Sequence, residues 1–341
     1  MFRVFVPGVV LKGDMQSFWN SLSKPIMVLA PMADVTDVAF RRVIAKYGRP
    51  DVIWTEFVSA DGLALAPDEG RAKLMKDLEY SEAERPIVAQ FFTATPKHME
   101  SAAALARELG FDGVDINMGC PDRSIEKQGS GAAHIKSAEH AKEIIYAAQA
   151  GAKDIPVSVK TRLGYNKDEL DTWLPHLFET KPAVLTMHAR TRKEMSKVPA
   201  RWERVAEVVA VRDRLAPDTL VLGNGDVVDL ADAREKVAES GADGAMLGRA
   251  IFGNPWLFSN VGRPTSNISL KERLEVMVEH TKLFEELLPH KNFAIMKKHY
   301  KAYVSNFDGA ADLRAKLMET KTAAEVASIV DNFLAESTIG T

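Results

Sequence analysis

The sequence predicts an α/β protein: a (β/α)8 TIM barrel followed by a small C-terminal helical bundle. Three observations carry this prediction. Eight short apolar runs alternate with amphipathic segments, each run is continuous, and helical periodicity without strands begins near residue 269. Continuous apolar runs are typical of parallel strands that are buried on both faces. Eight strand–helix units in roughly 235 residues match such a barrel, and a doubly wound sheet is the competing architecture.

The apolar runs are the predicted strands. They occupy residues 26–30, 52–55, 87–90, 113–116, 157–160, 184–187, 220–222 and 245–247. Between them, segments 96–109, 137–150 and 229–240 have the apolar spacing of helices. The second segment is expected to begin at a capping serine, Ser137, and the last two end before a glycine.

The chain changes character after about residue 258. Residues 261–268 have the proline, glycine, serine and asparagine content of a linker. Helical stripes follow at 274–287, 293–304, 311–318 and 323–334, and a small bundle is the simplest packing for them. We therefore predict a catalytic barrel domain at 1–260 and a helical domain at 261–341.

Composition excludes several classes of protein. One cysteine in 341 residues rules out an intramolecular disulfide framework and a cysteine-cluster zinc site. No run approaches the roughly 18–20 apolar residues of a membrane span. Pro7 and Gly8 interrupt the apolar N-terminus and no cleavage pattern follows, so we predict no signal peptide. We expect a cytoplasmic monomer without a metal, and the net charge of −3 does not by itself indicate nucleic-acid binding.

Polar and reactive residues follow almost every predicted strand. In a barrel, the C-terminal strand ends meet at one rim, where catalytic groups lie. The residues at these ends are 30–33, Gln90, 117–121, 160–162, 188–191, 223–226 and 248–249. Chance explains one or two such ends but not the whole series, so we predict an active site at this rim.

Individual rim residues leave several interpretations open. Lys160 fits a Schiff base, an anion-binding group or a solvated strand end. His188 fits a contact to a cofactor ring, a base or a hydrogen-bond partner of a core carbonyl. The amide of Gln90 can bind a ring that carries both donors and acceptors. Gly223 and Gly225, with Arg249, suggest a phosphate site, although glycines also make simple tight turns.

The single thiol, Cys120, lies in a predicted loop between Gly119 and Pro121. A lone cysteine is usually a buried small hydrophobe, but its place at the rim favours chemistry. A neutral thiol with a pKa near ~8.5 is a competent proton donor at pH 7. No cysteine–histidine signature supports a protease-type nucleophile.

Taken together, these residues resemble the dihydrouridine synthase family of flavoenzymes. The resemblance runs from about residue 25 to 258, and the helical tail fits the family's second domain. The matching motifs stand in the family's order, at 30–37, 115–121, 159–162, 188–191, 223–226 and 248–249. Three features depart from the family: Thr93 replaces a usual glycine, His134 replaces an apolar residue, and 193–201 lacks a tyrosine–glycine pattern.

The resemblance implies a barrel that carries FMN at its rim and a helical domain that helps to hold tRNA. Pro31, Met32 and Ala33 would pass their backbone along the flavin ring. Gln90 and Lys160 would bond its polar edge, and His188 would lie near the ring and its chain. The residues implied at the ribityl phosphate are Asn224, Gly225, Asp226, Gly248 and Arg249.

The implied reaction is the reduction of a uridine in tRNA to 5,6-dihydrouridine. NADPH would reduce FMN, and the reduced flavin would give hydride to C6 of the uracil, because no side chain supplies a hydride. Cys120 would give a proton to C5, and Asn117 would help to place the base. The uracil must leave its stack, so the enzyme must engage the surrounding RNA.

The predicted RNA contacts are basic residues that cluster locally in the sequence. Lys297, Lys298 and Lys301 fall on one helix face by i+3 and i+4 spacing, and phosphate contacts supply much of nucleic-acid affinity. The same segment, 290–303, carries aromatic residues that favour RNA, although a solvated helix surface is the alternative. Further expected phosphate contacts are Arg123, Lys127, Arg190 and Arg192.

Three other functions remain open at this point. Another flavin-dependent barrel oxidoreductase, acting on a free pyrimidine or an enone, would need no helical RNA domain. A non-catalytic RNA-binding relative would need no reactive rim. A phosphate-binding aldolase with Lys160 as its Schiff base would bind no flavin.

Overall fold

A computed structural model of the chain describes residues 17–259 and 268–339. Eight strands form one sheet. They are β1 (Ile26–Leu29), β2 (Ile53–Ser59), β3 (Ile87–Phe92), β4 (Gly113–Met118), β5 (Val157–Arg162), β6 (Val184–His188), β7 (Leu220–Asn224) and β8 (Gly244–Leu247). The predicted boundary at 260–261, most of the predicted linker and the apolar N-terminus lie outside the described residues.

The sheet is parallel throughout and closes on itself. Each strand from β2 to β8 pairs with its neighbours in chain order, and β8 pairs with β1. Between β1 and β2, Val28 bridges Val52, and the Asp51 amide donates to the Met27 carbonyl at 2.9 Å. These bonds confirm the predicted barrel, and the doubly wound alternative is wrong.

Helices surround the barrel and continue beyond it. They are α1 (Val38–Tyr47), α2 (Ala60–Leu65), α3 (Asp68–Asp77), α4 (Pro96–Glu108), α5 (Arg123–Lys127), α6 (Ala138–Ala152), α7 (Leu170–Glu179), α8 (Trp202–Leu215), α9 (Leu230–Ser240), α10 (Leu270–Leu287), α11 (Met296–Tyr303), α12 (Ala310–Met318) and α13 (Ala323–Ile339). Among the described residues, no helix has the length and apolar character that crossing a membrane requires.

Helices α6 and α9 begin in different ways. The side chain of Asp229 caps α9 by accepting from the Asp232 amide at 2.8 Å. Ser137 precedes α6, but its side chain makes no capping bond, so the predicted serine cap is wrong. The backbone of Ser137 instead begins the helix, since its carbonyl accepts from the Ala141 amide at 3.0 Å.

The C-terminal helices pack directly on the barrel. Helix α10 contacts α1 on one side and α13 on the other, and the ring of Phe40 in α1 stacks on His280 in α10 with centroids 4.7 Å apart. The predicted stripe of α10 faces this core, with Leu274, Met277 and Val278 buried. The helical region is therefore fixed against the shell of the barrel by an apolar contact.

Candidate active site

A cavity of about 730 Å³ opens at the C-terminal ends of the strands. This volume lies within the usual range of small-molecule and cofactor sites. Its wall contains the rim residues that the sequence singled out. They are Pro31, Met32, Gln90, Asn117, Cys120, Lys160, His188, Asn224, Gly225, Asp226, Gly248 and Arg249.

Ala33 is the exception among the predicted cofactor contacts. It is exposed and forms no part of the cavity wall. The reason is a turn after β1, in which the Met32 carbonyl accepts from the amides of Val35 and Thr36 at 3.1 and 3.0 Å. The turn places Ala33 beside the cavity wall and not in it, and the predicted contact between its backbone and a flavin stays a prediction.

A chain of hydrogen bonds crosses the floor of the cavity. Asp115 accepts from the Ser158 hydroxyl and from the Gln90 amide nitrogen, both at 2.5 Å. The Asn117 side-chain nitrogen donates to the Gln90 oxygen at 3.1 Å. The Asn117 oxygen then accepts from the Cys120 amide at 2.9 Å. One buried carboxyl thus orients Gln90 and, through Asn117, the loop that carries the thiol.

Asp115 had no role in the sequence interpretation. It is fully buried, and burial raises its pKa to about 6, against the opposing effect of the hydrogen bonds from Ser158 and Gln90 and of the Lys160 charge. An acidic residue inside a predicted buried strand was a signal, because a buried carboxyl requires partners. The partners themselves lie on two other strands, which the sequence does not place.

Arg162 ties two loops of the rim together. Its Nε donates to the Gly119 carbonyl at 2.7 Å, and its Nη1 donates to the carbonyls of Thr191 and Met195 at 3.2 and 3.1 Å. The thiol loop after β4 is therefore held by the loop after β6. Sequence reasoning missed this role, because a strand-end arginine is as easily a surface residue.

The Cys120 thiol lines the cavity from this fixed loop. Burial raises its pKa above the ordinary value, and the positive charges of Arg162 and Lys160 only partly oppose this effect. The thiol is therefore protonated at neutral pH. A protonated thiol can give a proton to a reacting atom, whereas nucleophilic attack requires the thiolate.

Lys160 faces the cavity and not bulk solvent. Its ammonium donates to the Asn224 side-chain oxygen at 3.2 Å. Burial, with a further effect of the Arg162 charge, lowers its pKa to about 8, so most of the side chains keep their proton at pH 7. A solvated strand end is thus excluded, and a cation remains available for an electron-rich ligand atom.

His188 is neutral in this environment. Burial and the charges of Arg162, Lys160 and Arg190 lower its pKa well below the ordinary value. Its Nε2 lies 3.1 Å from a guanidinium nitrogen of Arg190. Because a guanidinium only donates, we assign Nε2 as the acceptor and place the proton on Nδ1.

Two arginines converge on Asp226 at the other end of the cavity. Arg249 donates to Asp226 Oδ1 at 2.7 Å, while Oδ2 accepts from Arg190 and from the Ala200 amide. Arg190 is only 2% exposed. The prediction that Arg190 contacts RNA phosphate is therefore corrected, because its guanidinium is enclosed by protein at the cavity wall.

The two glycines of this end have different roles. Gly225 has φ +123°, and a Cβ there would approach the Ala200 Cβ to 2.8 Å, so the close turn requires glycine. Gly223 lies under the Trp202 ring, where a Cβ would come within 2.2 Å of it. Gly223 therefore serves packing and not the predicted phosphate approach.

The remaining predicted RNA contacts lie outside the cavity. Arg123 and Lys127 are exposed on α5, which begins shortly after Cys120. Arg192 forms an ion pair with Glu126, which neutralises much of its charge. Arg192 is therefore a weaker candidate for phosphate binding than Arg123 or Lys127.

Helix α11 presents its lysines and its aromatic residues on opposite faces. Lys297, Lys298 and Lys301 are at least partly exposed. The buried residues of the same helix include His299, Tyr300 and Tyr303, all fully enclosed. The expectation that these aromatic residues favour RNA binding is wrong, because they pack into the core and cannot stack on bases.

His134 and Thr93, two residues that depart from the family pattern, contact each other. The Nε2 of His134 lies 3.0 Å from the Thr93 carbonyl, and the Thr93 hydroxyl donates to Asp61 at 2.7 Å. Gln90 still lines the cavity in this arrangement. The substitution at Thr93 therefore leaves the predicted Gln90 position in place.

The chain is similar to proteins of one known family along most of its length. The family model described as dihydrouridine synthase matches residues 28–338. A probable tRNA-dihydrouridine synthase of Staphylococcus aureus (strain COL) is 40% identical over 324 residues, covering 94% of this chain and 97% of that protein. Probable tRNA-dihydrouridine synthase 2 of Bacillus subtilis (strain 168) is 41% identical over 324 residues, covering 93% and 97%.

Among solved structures, a complex of 2-naphthoyl-CoA reductase has a similar fold. Its TM-score is 0.53 at 12% sequence identity. The match covers 69% of this chain and about half, 49%, of that chain. At this identity the likeness concerns the fold alone.

We expect the thiol of Cys120 to titrate above its ordinary range, because burial outweighs the nearby cations. The sequence has one cysteine, so alkylation reports on Cys120 alone. The rate of reaction with iodoacetamide, measured as a function of pH, should give an apparent pKa above that of the unfolded protein. The unfolded protein in denaturant is the control and should titrate near ~8.5. An apparent pKa below that of the unfolded protein would contradict a protonated thiol.

Proposed function

The chain belongs to the dihydrouridine synthase family and is thus a flavin-dependent oxidoreductase, and on that premise we propose its reaction in detail. The substrate is a uridine in tRNA, which is reduced to 5,6-dihydrouridine with FMN as the bound cofactor and NADPH as the reductant. The observation that carries the proposal is one cavity that joins a protonated thiol to a set of flavin-compatible polar groups.

The donor set of the cavity fits FMN. The Gln90 amide and the Lys160 ammonium suit the polar edge of the ring, which carries both donors and acceptors. At the other end, Gly225, Gly248 and Arg249 offer backbone amides and a guanidinium for a phosphate. Bound FMN supplies the hydride that the reaction requires at C6 of the uracil.

Cys120 supplies the proton at C5. The thiol proton forms the new C–H bond, the C5=C6 double bond becomes a single bond, and the sulfur is left as a thiolate that solvent reprotonates. Burial favours the protonated state before the reaction. Asn117 holds the loop backbone at the Cys120 amide, and its placement beside the thiol suits contact with the uracil.

The rest of the tRNA requires basic surface. Arg123 and Lys127, on the helix that follows the thiol loop, suit the phosphates next to the target base. Lys301, which is exposed, and Lys297 and Lys298, which are partly exposed, supply a second positive surface on the helical region. Together, the two surfaces allow the protein to hold the RNA while one base enters the cavity.

The first test is the visible spectrum of the purified protein. We expect the visible absorption of an oxidised flavin and the release of FMN on denaturation, identified by mass. Incubation with unmodified tRNA and NADPH should then produce dihydrouridine. Absence of flavin after incubation with added FMN would contradict the redox proposal. The aldolase and the non-catalytic RNA-binding protein would then be the remaining candidate functions.

Cys120→Ala should separate the two halves of the reaction. Reduction of the flavin by NADPH should stay within about twofold of wild type, because no proton from the thiol is needed there. Formation of dihydrouridine should fall by about 10²-fold or more, the usual contribution of a positioned general acid. The measurement is single-turnover kinetics of each half-reaction, and full tRNA turnover by the variant would contradict the proton-donor role.

Charge reversal tests the positive face of α11. Lys297→Glu combined with Lys298→Glu should weaken tRNA binding by about tenfold or more at low salt and should reduce its salt dependence. Lys316→Glu with Lys321→Glu is the matched control, since both lysines are exposed in the same helical region. Equal affinities of the two double variants, measured by filter binding across a salt series, would remove α11 from the RNA-binding surface.

A further inference from the structure

One lysine of the helical region reaches into the barrel rim. Lys291, between α10 and α11, places its Nζ 2.7 Å from Glu56 Oε2 and 2.9 Å from Asp77 Oδ1. The Lys291 side chain is 12% exposed and that of Glu56 only 9%. This ion cluster is therefore largely enclosed, and it joins β2 and α3 to the C-terminal region.

Glu56 uses both of its carboxylate oxygens as acceptors. While Oε2 accepts from Lys291, Oε1 accepts from the backbone amide of Asp34. Asp34 has φ +55°, in the left-handed region, so its conformation depends on such support. Asp34 belongs to the rim loop, residues 31–37, in which Pro31 and Met32 line the cofactor cavity.

The charges explain why Glu56 depends on Lys291. Burial raises the pKa of Glu56, and the Lys291 charge opposes that rise. A second carboxyl, Asp37, is fully buried in the rim loop, where burial and the Glu56 charge raise its pKa to about 7. Burial alone would lower the pKa of Lys291, but Glu56 and Asp77 outweigh it and keep the ammonium charged. Without Lys291, Glu56 would be a buried carboxylate close to two other carboxyls.

We propose that Lys291 is a positioning residue that acts through Glu56 on the rim loop. It holds residues 31–37 in the conformation that lines the cofactor cavity, and the helical region thereby contributes to cofactor affinity. The identity of that cofactor as FMN rests on the proposed function, whereas the effect on the rim loop does not.

A second ion pair between the same regions provides the control. Lys46 in α1 donates to Glu279 in α10 at 2.8 Å, and Tyr47 donates to the same carboxylate at 2.6 Å. The Lys46 side chain is 57% exposed. These contacts join the helical region to the barrel without touching the rim loop, so Lys46→Met should affect neither the loop nor the cofactor.

The experiment compares Lys291→Met, Glu56→Gln, their double variant and Lys46→Met. Amide hydrogen exchange of residues 32–37 is measured in the flavin-free protein, and FMN affinity is measured by fluorescence titration. Lys291→Met should raise rim-loop exchange by about tenfold or more and weaken FMN binding at least about fivefold. Lys46→Met should change each by less than about twofold.

Glu56→Gln alone should also loosen the loop. In Glu56 the Asp34 amide and Lys291 are bound by different oxygens, and in glutamine one of these two acceptors becomes an NH2 group that only donates. In the double variant, the neutral glutamine side chain is free to accept from Asp34, so rim-loop exchange should return toward wild type. This rescue distinguishes positioning from general stability, and Glu56→Gln still provides the test if Lys291→Met does not fold.

Unchanged rim-loop exchange in both single variants would overturn the proposal. Equal loosening by Lys46→Met would also overturn it, because the effect would then come from general contact between the two regions. A wild-type protein that binds no FMN would contradict the proposed function, while the exchange measurements would still decide the role of Lys291.

Discussion

The parallel register of the barrel is the constraint on which the site depends. Gln90 in β3 lies opposite Asp115 in β4, which lies opposite Ser158 in β5. Two residues further along, Asn117 lies opposite Lys160. Side chains of alternate strand residues point to the same face, so this register sets the buried hydrogen-bond chain and places the lysine beside it. A shift by one residue would turn these polar groups out of the cavity.

Electrostatics then determines what each group can do. Burial lowers the pKa of His188, the charges of Arg162, Lys160 and Arg190 lower it further, and the imidazole is therefore neutral. Two of these cations, Arg162 and Lys160, only partly oppose the effect of burial on Cys120, so the thiol keeps its proton. Asp226 pairs with two arginines at the far end and so offsets only one of their two positive charges. The cavity therefore combines positive potential, which suits an anionic cofactor, with one neutral acid.

Much of this arrangement follows from local sequence patterns. Apolar runs predicted all eight strands, because strands buried on both faces are continuously apolar. The predicted ends were too early in most strands: β5 extends to Arg162 and β7 to Asn224, since the ladder continues through polar residues that face the cavity. Among the helices around the barrel, only α4, α6 and α9 were located in the sequence, whereas α1, α2, α3, α5, α7 and α8 were not.

The sequence by itself determined the order of elements, the rim residues and the resemblance to one family, because these depend on periodicity and on motifs of adjacent residues. The tertiary structure alone decided the partners of Asp115, the enclosure of Arg190 and the reach of Lys291 to Glu56. Lys291 and Glu56 are far apart in the chain, and local sequence patterns do not predict which distant residue a side chain contacts. Helix α11 illustrates the same limit, because only packing against α1 and α10 revealed that its aromatic residues belong to the core.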